Sequence, residues 1–253
     1  FRQNVIYEAM GWTIPSYAHL PLILGPDGAK LSKRHGATSV EEYRDMGYLP
    51  EAMRNYLLRL CWAHGDDEII TTEQAIEWFD LEHIGKSPAR FDFDKLNFVN
   101  AHYIKIADNA RLTELTMDIL KKSGQELAPE TETRLMKAMD ELKTRSKTLV
   151  QLAEDARIYW HSGKIEMEEK AAANMDDSGK AIVAKIAAAL KTLTPFTAES
   201  IEACCKSLAE SEGLKLGKVM MPLRAALTGR ATSPSLFHAI EILGLDEVLK
   251  RIG

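Results

Sequence analysis

Between Leu22 and Gly36 the chain reads Leu22-Ile23-Leu24-Gly25-Pro26-Asp27-Gly28-Ala29-Lys30-Leu31-Ser32-Lys33-Arg34-His35-Gly36. Lys30, Ser32, Lys33 and Arg34 bring three positive charges and a hydroxyl together with no carboxylate between them. Gly25, Gly28 and Gly36 let the backbone bend and approach a neighbour closely. A glycine-bracketed cationic loop suits a polyanion whose charge moves during reaction, such as the phosphates of ATP. The charges alone equally permit a solvated basic hairpin turn.

A second cationic cluster is Lys143, Arg145 and Lys147, the only tight one in residues 61–170. On a continuous helix Lys143 and Lys147 share a face, while Arg145 lies beside the apolar Leu142 and Leu149. A guanidinium there needs a partner or must snorkel outward. Its planar donor fork can read a base edge, or form a salt bridge to Asp140, Glu141 or Glu154. Near the end, Arg224 and Thr228 stand four residues apart on one expected helix face. His102, alone on an amphipathic helix, reads as structural. Cys61, Cys204 and Cys205 lack the spacing of a zinc site and read as reduced, buried thiols of a cytosolic protein, so no structural metal is expected.

The elements that must position these groups follow from local signals. An apolar strand-like run, Leu20 to Leu24, meets the Gly-Pro-Asp-Gly turn before the lysines. Arg2 to Met10 is a short helix stopped by Gly11. Ser39 with Glu42 forms an N-terminal cap, and Pro50 opens a helix whose Met53, Tyr56, Leu57 and Leu60 share a face. Thr72 caps a helix from Glu73 to Phe79, and Asp92 or Asp94 opens another. Beyond Asp108 helices are expected near 109–123, 130–160, 178–191, 197–211, 215–228, 234–243 and 245–252. Leu135, Met139, Leu142, Leu149 and Ala153 make a core stripe interrupted by Ser146. Pro222 should kink or begin its helix.

Lys30-Leu31-Ser32-Lys33-Arg34 resembles the Lys-Met-Ser-Lys-Ser loop of class I aminoacyl-tRNA synthetases. With its flanks, from Ala18-His19-Leu20-Pro21-Leu22 to Thr38-Ser39-Val40, it is similar to the glutamyl-tRNA synthetases. Gly47-Tyr48-Leu49-Pro50-Glu51-Ala52 with Asn55-Tyr56-Leu57, the Lys95-Leu96-Asn97…His102-Tyr103-Ile104 run, and Gly217-Lys218…Pro222-Leu223-Arg224-Ala225-Ala226-Leu227-Thr228-Gly229 extend the likeness. The last, in a helical tail, favours the bacterial type. Cys61 stands where the family has glycine, a packing change. The resemblance implies that Lys33 steadies the transition state of amino-acid activation, assisted by Lys30. Leu31, Ser32 and Arg34 complete the ATP-binding loop, and Ser32 shapes it. It further implies tRNA binding by Arg145, Lys143, Lys147 and Arg224, with Arg145 on the helix that reads the anticodon.

The expected fold is mainly α: the end of a class I nucleotide-binding domain, a tRNA stem-contact helical domain, and an all-helical anticodon-binding region. The divisions are 1–36, 37–108, 109–162 and 163–253. The likeness implies a chain that starts inside the nucleotide-binding domain, without the family's His-Ile-Gly-His-type motif, and is therefore inactive alone. His83-Ile84-Gly85-Lys86 mimics that motif, but it follows the lysine loop and precedes Ser87-Pro88, so it reads as a turn. The implied reaction joins glutamate to its tRNA with ATP and Mg2+, in a cytoplasmic monomer without a membrane span. The rival expectation is a non-catalytic tRNA-binding module keeping a relict loop; a helical interaction scaffold is the blander one. A net charge of −5 is concentrated in residues 61–170, with fifteen Lys/Arg against twenty-two Asp/Glu. Local patches therefore decide nucleic-acid binding, and the charge balance argues against indiscriminate, strongly salt-dependent binding.

Overall fold

The computed structural model describes residues 2–36, 39–233 and 235–253, with Lys33 described by its backbone only. The chain forms two units. One comprises Phe1–Tyr43 and Pro50–Val99, the other Arg44–Leu49 and Asn100–Gly253. The mainly helical architecture expected from the sequence is observed.

In the first unit, α1 (Arg2–Ala9) buries none of its side chains. The expected strand Leu20–Leu24 shortens to β1 (Ile23–Leu24), because its parallel partner β2 (Ala89–Arg90) is only two residues long. Pro21 also lacks a ladder donor, and Leu20 and Leu22 stay exposed. Ser39 accepts the Glu42 N–H, and Glu42 accepts the Ser39 N–H, as read for α2 (Val40–Asp45). Pro50 does open α3 (Pro50–Cys61), but the buried face differs from the expected stripe: Ala52, Met53, Asn55 and Tyr56 are covered, whereas Leu57 is 40% exposed. The cause is Asn55, whose carboxamide donates to the Glu68 carbonyl and accepts the Ile70 N–H, turning that face inward. Helix α4 (Thr72–Trp78) is capped by Thr71, not Thr72, since only Thr71 has a glutamine three residues on to close the reciprocal pair. His83 sits in a turn held by Asp80, as expected of the decoy. Asp92 accepts the N–H groups of Asp94 and Lys95 and so caps α5 (Phe93–Ile106). Tyr56 fixes that cap by accepting the Asp92 N–H at 2.6 Å, within a cluster of Tyr43, Tyr56, Phe91 and Phe93 rings.

The second unit is a helical stack: α6 (Asn109–Lys122), α7 (Thr131–Leu142), α8 (Leu149–Asp155), α9 (Arg157–Trp160), α10 (Glu169–Ala172), α11 (Asp177–Leu190), α12 (Ala198–Ser211), α13 (Leu216–Thr228), α14 (Leu236–Leu243) and α15 (Leu245–Ile252). The single helix expected at 130–160 is instead α7, α8 and α9. After Leu142 the chain turns, because buried Ser146 donates its hydroxyl to the Leu142 carbonyl and Thr148 caps a new helix through the Gln151 N–H. The stripe Leu135, Met139, Leu142, Leu149 and Ala153 is buried throughout. Pro222 does not begin a helix but lies inside α13. The expected start at Pro234 lies outside the described residues, and α14 begins at Leu236. All three cysteines are free thiols; burial pushes Cys205 up to about 12.

Asn100 ties the second unit together. It accepts the Leu49 N–H at 2.8 Å and donates to the Lys147 carbonyl at 2.6 Å. Gly47, at φ 88°, lies so close to this turn that a Cβ would sit 2.6 Å from the Val150 nitrogen. Glu247 and Arg251 form a buried ion pair at 2.8 Å, completed by Ser162 Oγ–H and the Gly163 N–H on the carboxylate.

Candidate functional site

The lysine stretch folds as a tight hairpin. Leu24 pairs with Lys30, the Leu31 N–H reaches the Ile23 carbonyl at 3.0 Å, and the Gly25 N–H reaches the Ala29 carbonyl at 2.7 Å. A single 3-10 turn, Lys33–His35, follows. His35 locks the two together. Its Nδ1 accepts the Ser32 N–H at 3.1 Å and lies 3.2 Å from Ser32 Oγ, while its Nε2 is 3.0 Å from Asp27 Oδ1. The imidazole packs flat against the backbone at Gly25, where a Cβ would sit 2.8 Å from the ring. Asp27 is held below the usual carboxylate range by the Ala29 N–H, then by its hydrogen bond to His35, with the His35 and Arg34 charges adding to both. Lys30 and Arg34 project into solvent, Leu31 and Ser32 are half-buried, and the Lys33 side chain lies outside what the structure describes. The hairpin therefore presents exposed cations on a braced frame, which suits a polyphosphate.

The second cluster does not share one helix face. The turn after α7 separates its members. Lys143 is drawn inward to Asn109 Oδ1 at 2.8 Å and Asp140 at 3.2 Å, Lys147 is exposed, and Arg145 stands half-exposed. Of the three carboxylates considered for Arg145, Glu141 is its ion-pair neighbour, at 4.0 Å, and Glu141 also takes the Ser235 N–H at 2.6 Å.

Arg145 lines a cavity of about 280 Å³ together with Gln151, Asp155, Arg157, Thr228 and Arg230. Arg224 braces one wall, donating to the Ser233 carbonyl at 3.1 Å and to the Ser233 hydroxyl. Burial, then the Arg145 charge, pulls the Arg224 guanidinium below its ordinary value. The fold thus brings Arg145 and Arg224 together and leaves Lys143 and Lys147 apart from them. Three guanidinium groups around a half-open cavity suit a planar, partly anionic ligand, with forks for hydrogen-bond acceptors and faces for stacking.

Sequence reasoning gave no part to His35, Asp27, Asp155, Arg157 or Arg230. The Asp27-to-His35 pairing was visible only as a turn signal and a nearby imidazole. Arg157 and Arg230 are separated by 73 positions, and nothing local joins them. Among the described residues, no helix is long and apolar enough to cross a membrane.

Comparison with known proteins bears on both regions. Residues 111–253 match the family model for the anticodon binding domain, and residues 1–98 match that for the catalytic domain of class I tRNA synthetases (E and Q). The chain is 52% identical over 254 residues to a glutamate–tRNA ligase 2 of Paramagnetospirillum magneticum, and 50% identical over 258 residues to one of Brucella ovis. All of this chain is covered in both, but only 53% and 54% of those relatives. A crystal structure of a glutamate tRNA ligase from Elizabethkingia meningosepticum in complex with its amino acid superposes with a TM-score of 0.79 at 32% identity. That match covers 98% of this chain and 52% of the other, so the chain spans about half the length of the proteins it matches.

Proposed function

Because the chain belongs to the glutamate–tRNA ligase family of class I synthetases, whose anticodon binding domain it carries, we propose that it supplies the phosphate loop and the anticodon-reading part of such a ligase. In that reaction the glutamate carboxylate attacks the α-phosphate of ATP, forming the adenylate and releasing pyrophosphate, and the terminal ribose hydroxyl of the tRNA then takes the acyl group and releases AMP. Lys30 and Lys33 act on the triphosphate, while Ser32 with His35 holds the loop in shape. Leu31 and Arg34 complete the loop's contact with ATP. Mg2+ enters as the partner of ATP, neutralising phosphate charge. The cavity at Arg145 takes an anticodon base, with Arg224 bracing its wall, and the exposed Lys147 meets a tRNA phosphate, whereas Lys143 is held inward by Asn109 and Asp140. The division at 1–36, 37–108, 109–162 and 163–253 follows these tasks, in a cytoplasmic monomer.

The observation carrying this reading is the half-exposed Arg145 guanidinium on a cavity with two further guanidinium groups, inside the stretch that matches the anticodon binding domain. The test is binding of glutamate tRNA and of an unrelated tRNA at two salt concentrations. Retention of glutamate tRNA over the unrelated one at both concentrations is the expected result. Equal retention that vanishes in the higher salt would mean non-specific charge attraction.

A further inference from the structure

The Arg145 cavity is not purely cationic. Asp155, the last residue of α8, forms part of its wall, facing a space that Arg145 and Arg230 also border. It is half-buried, and among the described residues its carboxylate takes no hydrogen bond and no ion pair. Arg230 forms an ion pair with Glu168 at 3.3 Å, although its buried Nε makes no hydrogen bond, and Arg145 reaches Glu141 only at 4.0 Å. Burial raises the Asp155 carboxyl, while the charges of Arg230 and Arg145 oppose that rise. A partly desolvated carboxylate that no protein donor meets is left to water or to what enters the cavity.

We propose that Asp155 is a specificity-determining residue that accepts a hydrogen bond from the exocyclic amine of a cytosine held in this cavity. The proposal rests on the reading of the cavity as an anticodon-base site. Cytosine presents one amine donor beside two acceptors on its pairing edge. A carboxylate accepts from the amine, and a guanidinium donates to the ring carbonyl. Uracil presents a carbonyl where cytosine has its amine. Against Asp155 that carbonyl would oppose lone pairs to lone pairs and leave the carboxylate unsatisfied, which is how a polar site rejects an analogue lacking the donor.

The test is binding of the 253-residue chain to anticodon stem-loop RNAs that carry cytosine or uracil at each of the three anticodon positions in turn, followed by fluorescence anisotropy. At one position the native chain should prefer cytosine by about tenfold. In Asp155→Asn, whose amide can donate to the uracil carbonyl, that preference should fall below threefold or invert, while the other two positions are unchanged. Asp155→Ala should lose the preference without gaining affinity for uracil. Arg145→Gln should weaken cytosine and uracil loops alike, since both offer the same ring carbonyl. A native cytosine preference that survives in Asp155→Asn, alongside a weakened Arg145→Gln, overturns the role of Asp155 and leaves the base site standing. If Arg145→Gln binds every loop like the native chain, the base site itself is wrong and the proposal falls with it.

Discussion

His35 Nδ1 accepts the backbone N–H of Ser32 at 3.1 Å. Because that donor is a main-chain amide, Nδ1 serves as the acceptor, while Nε2 lies 3.0 Å from Asp27 Oδ1 and 3.2 Å from Arg34 Nε. One imidazole thus joins the turn before the lysines to the turn that carries Lys33.

Removing the imidazole should loosen the loop without unfolding the protein. His35→Ala loses hydrogen bonds worth about 1 kcal/mol each, so the Ser32 amide should exchange with solvent several-fold faster. His35→Asn, whose carbonyl can still accept, should recover part of the protection. Hydrogen exchange followed by NMR reads this directly. Unchanged Ser32 protection in His35→Ala would show that the hairpin holds itself.

Lys33 should matter to rate more than to affinity. In a complete ligase carrying this loop, Lys33→Ala should slow adenylate formation by about 2–4 kcal/mol in barrier, the cost of losing one preorganised charge-assisted contact. ATP binding should change far less, since the stabilised charge develops only in the transition state. A loss confined to the KM for ATP would make the loop a binding element only.

Arg145 and Lys147, two positions apart, should behave differently. Arg145→Gln should reduce discrimination between glutamate and glutamine anticodons by roughly 1–3 kcal/mol, the value of a bidentate base contact. Lys147→Gln should weaken both tRNAs about equally and shallow the salt dependence. Competition binding with two tRNAs differing at the last anticodon base separates these outcomes. Small, equal losses in the Arg145 variant would return that residue to its Glu141 ion pair.

Glu247 should make the second unit acid-sensitive. Burial would raise its carboxyl, but hydrogen bonds from Arg251, the Gly163 N–H and Ser162, with the Arg251 charge, hold it below the ordinary value. The folded protein therefore binds this proton less readily than the unfolded chain. The pair's contribution is full above the ordinary glutamate value of about 4.3 and is lost as pH falls through the depressed folded value. Glu247→Gln leaves Arg251 buried without its counter-charge and should cost about 3 kcal/mol at pH 7. The gap between native and variant stability should stay constant down to about pH 5 and shrink below about pH 4. Denaturant melts across that range supply the check; a gap that does not narrow in acid would exclude the ion pair as its source.

Much of the frame was legible because its signals are local. Ser39 with Glu42, Pro50 at a helix start, and the stripe from Leu135 to Ala153 each act through neighbours within four residues or through one periodic face. Lys143, Arg145 and Lys147 show where this stops. Their spacing describes a helix face, but the backbone turns there for a buried serine hydroxyl and a threonine cap, devices that a helical stripe also tolerates. Leu57 and Asn55 exchange inside and outside because the Asn55 amide is consumed by a segment fifteen residues away. Asp155 and Arg230 meet only through packing, and no spacing announces that.

The second unit takes six residues, Arg44–Leu49, from before the first unit is finished. The Asn100 carboxamide, and the backbone bond from the Leu149 N–H to the Gly47 carbonyl at 2.9 Å, depend on that hexapeptide. An excised piece starting at Asn100 would keep α6 to α15 yet leave the turn beside Arg145 without this backing. Its smallest self-sufficient form is therefore discontinuous in sequence. Recombination between relatives that exchanged only the stretch after residue 100 would pair a turn from one parent with a brace from the other.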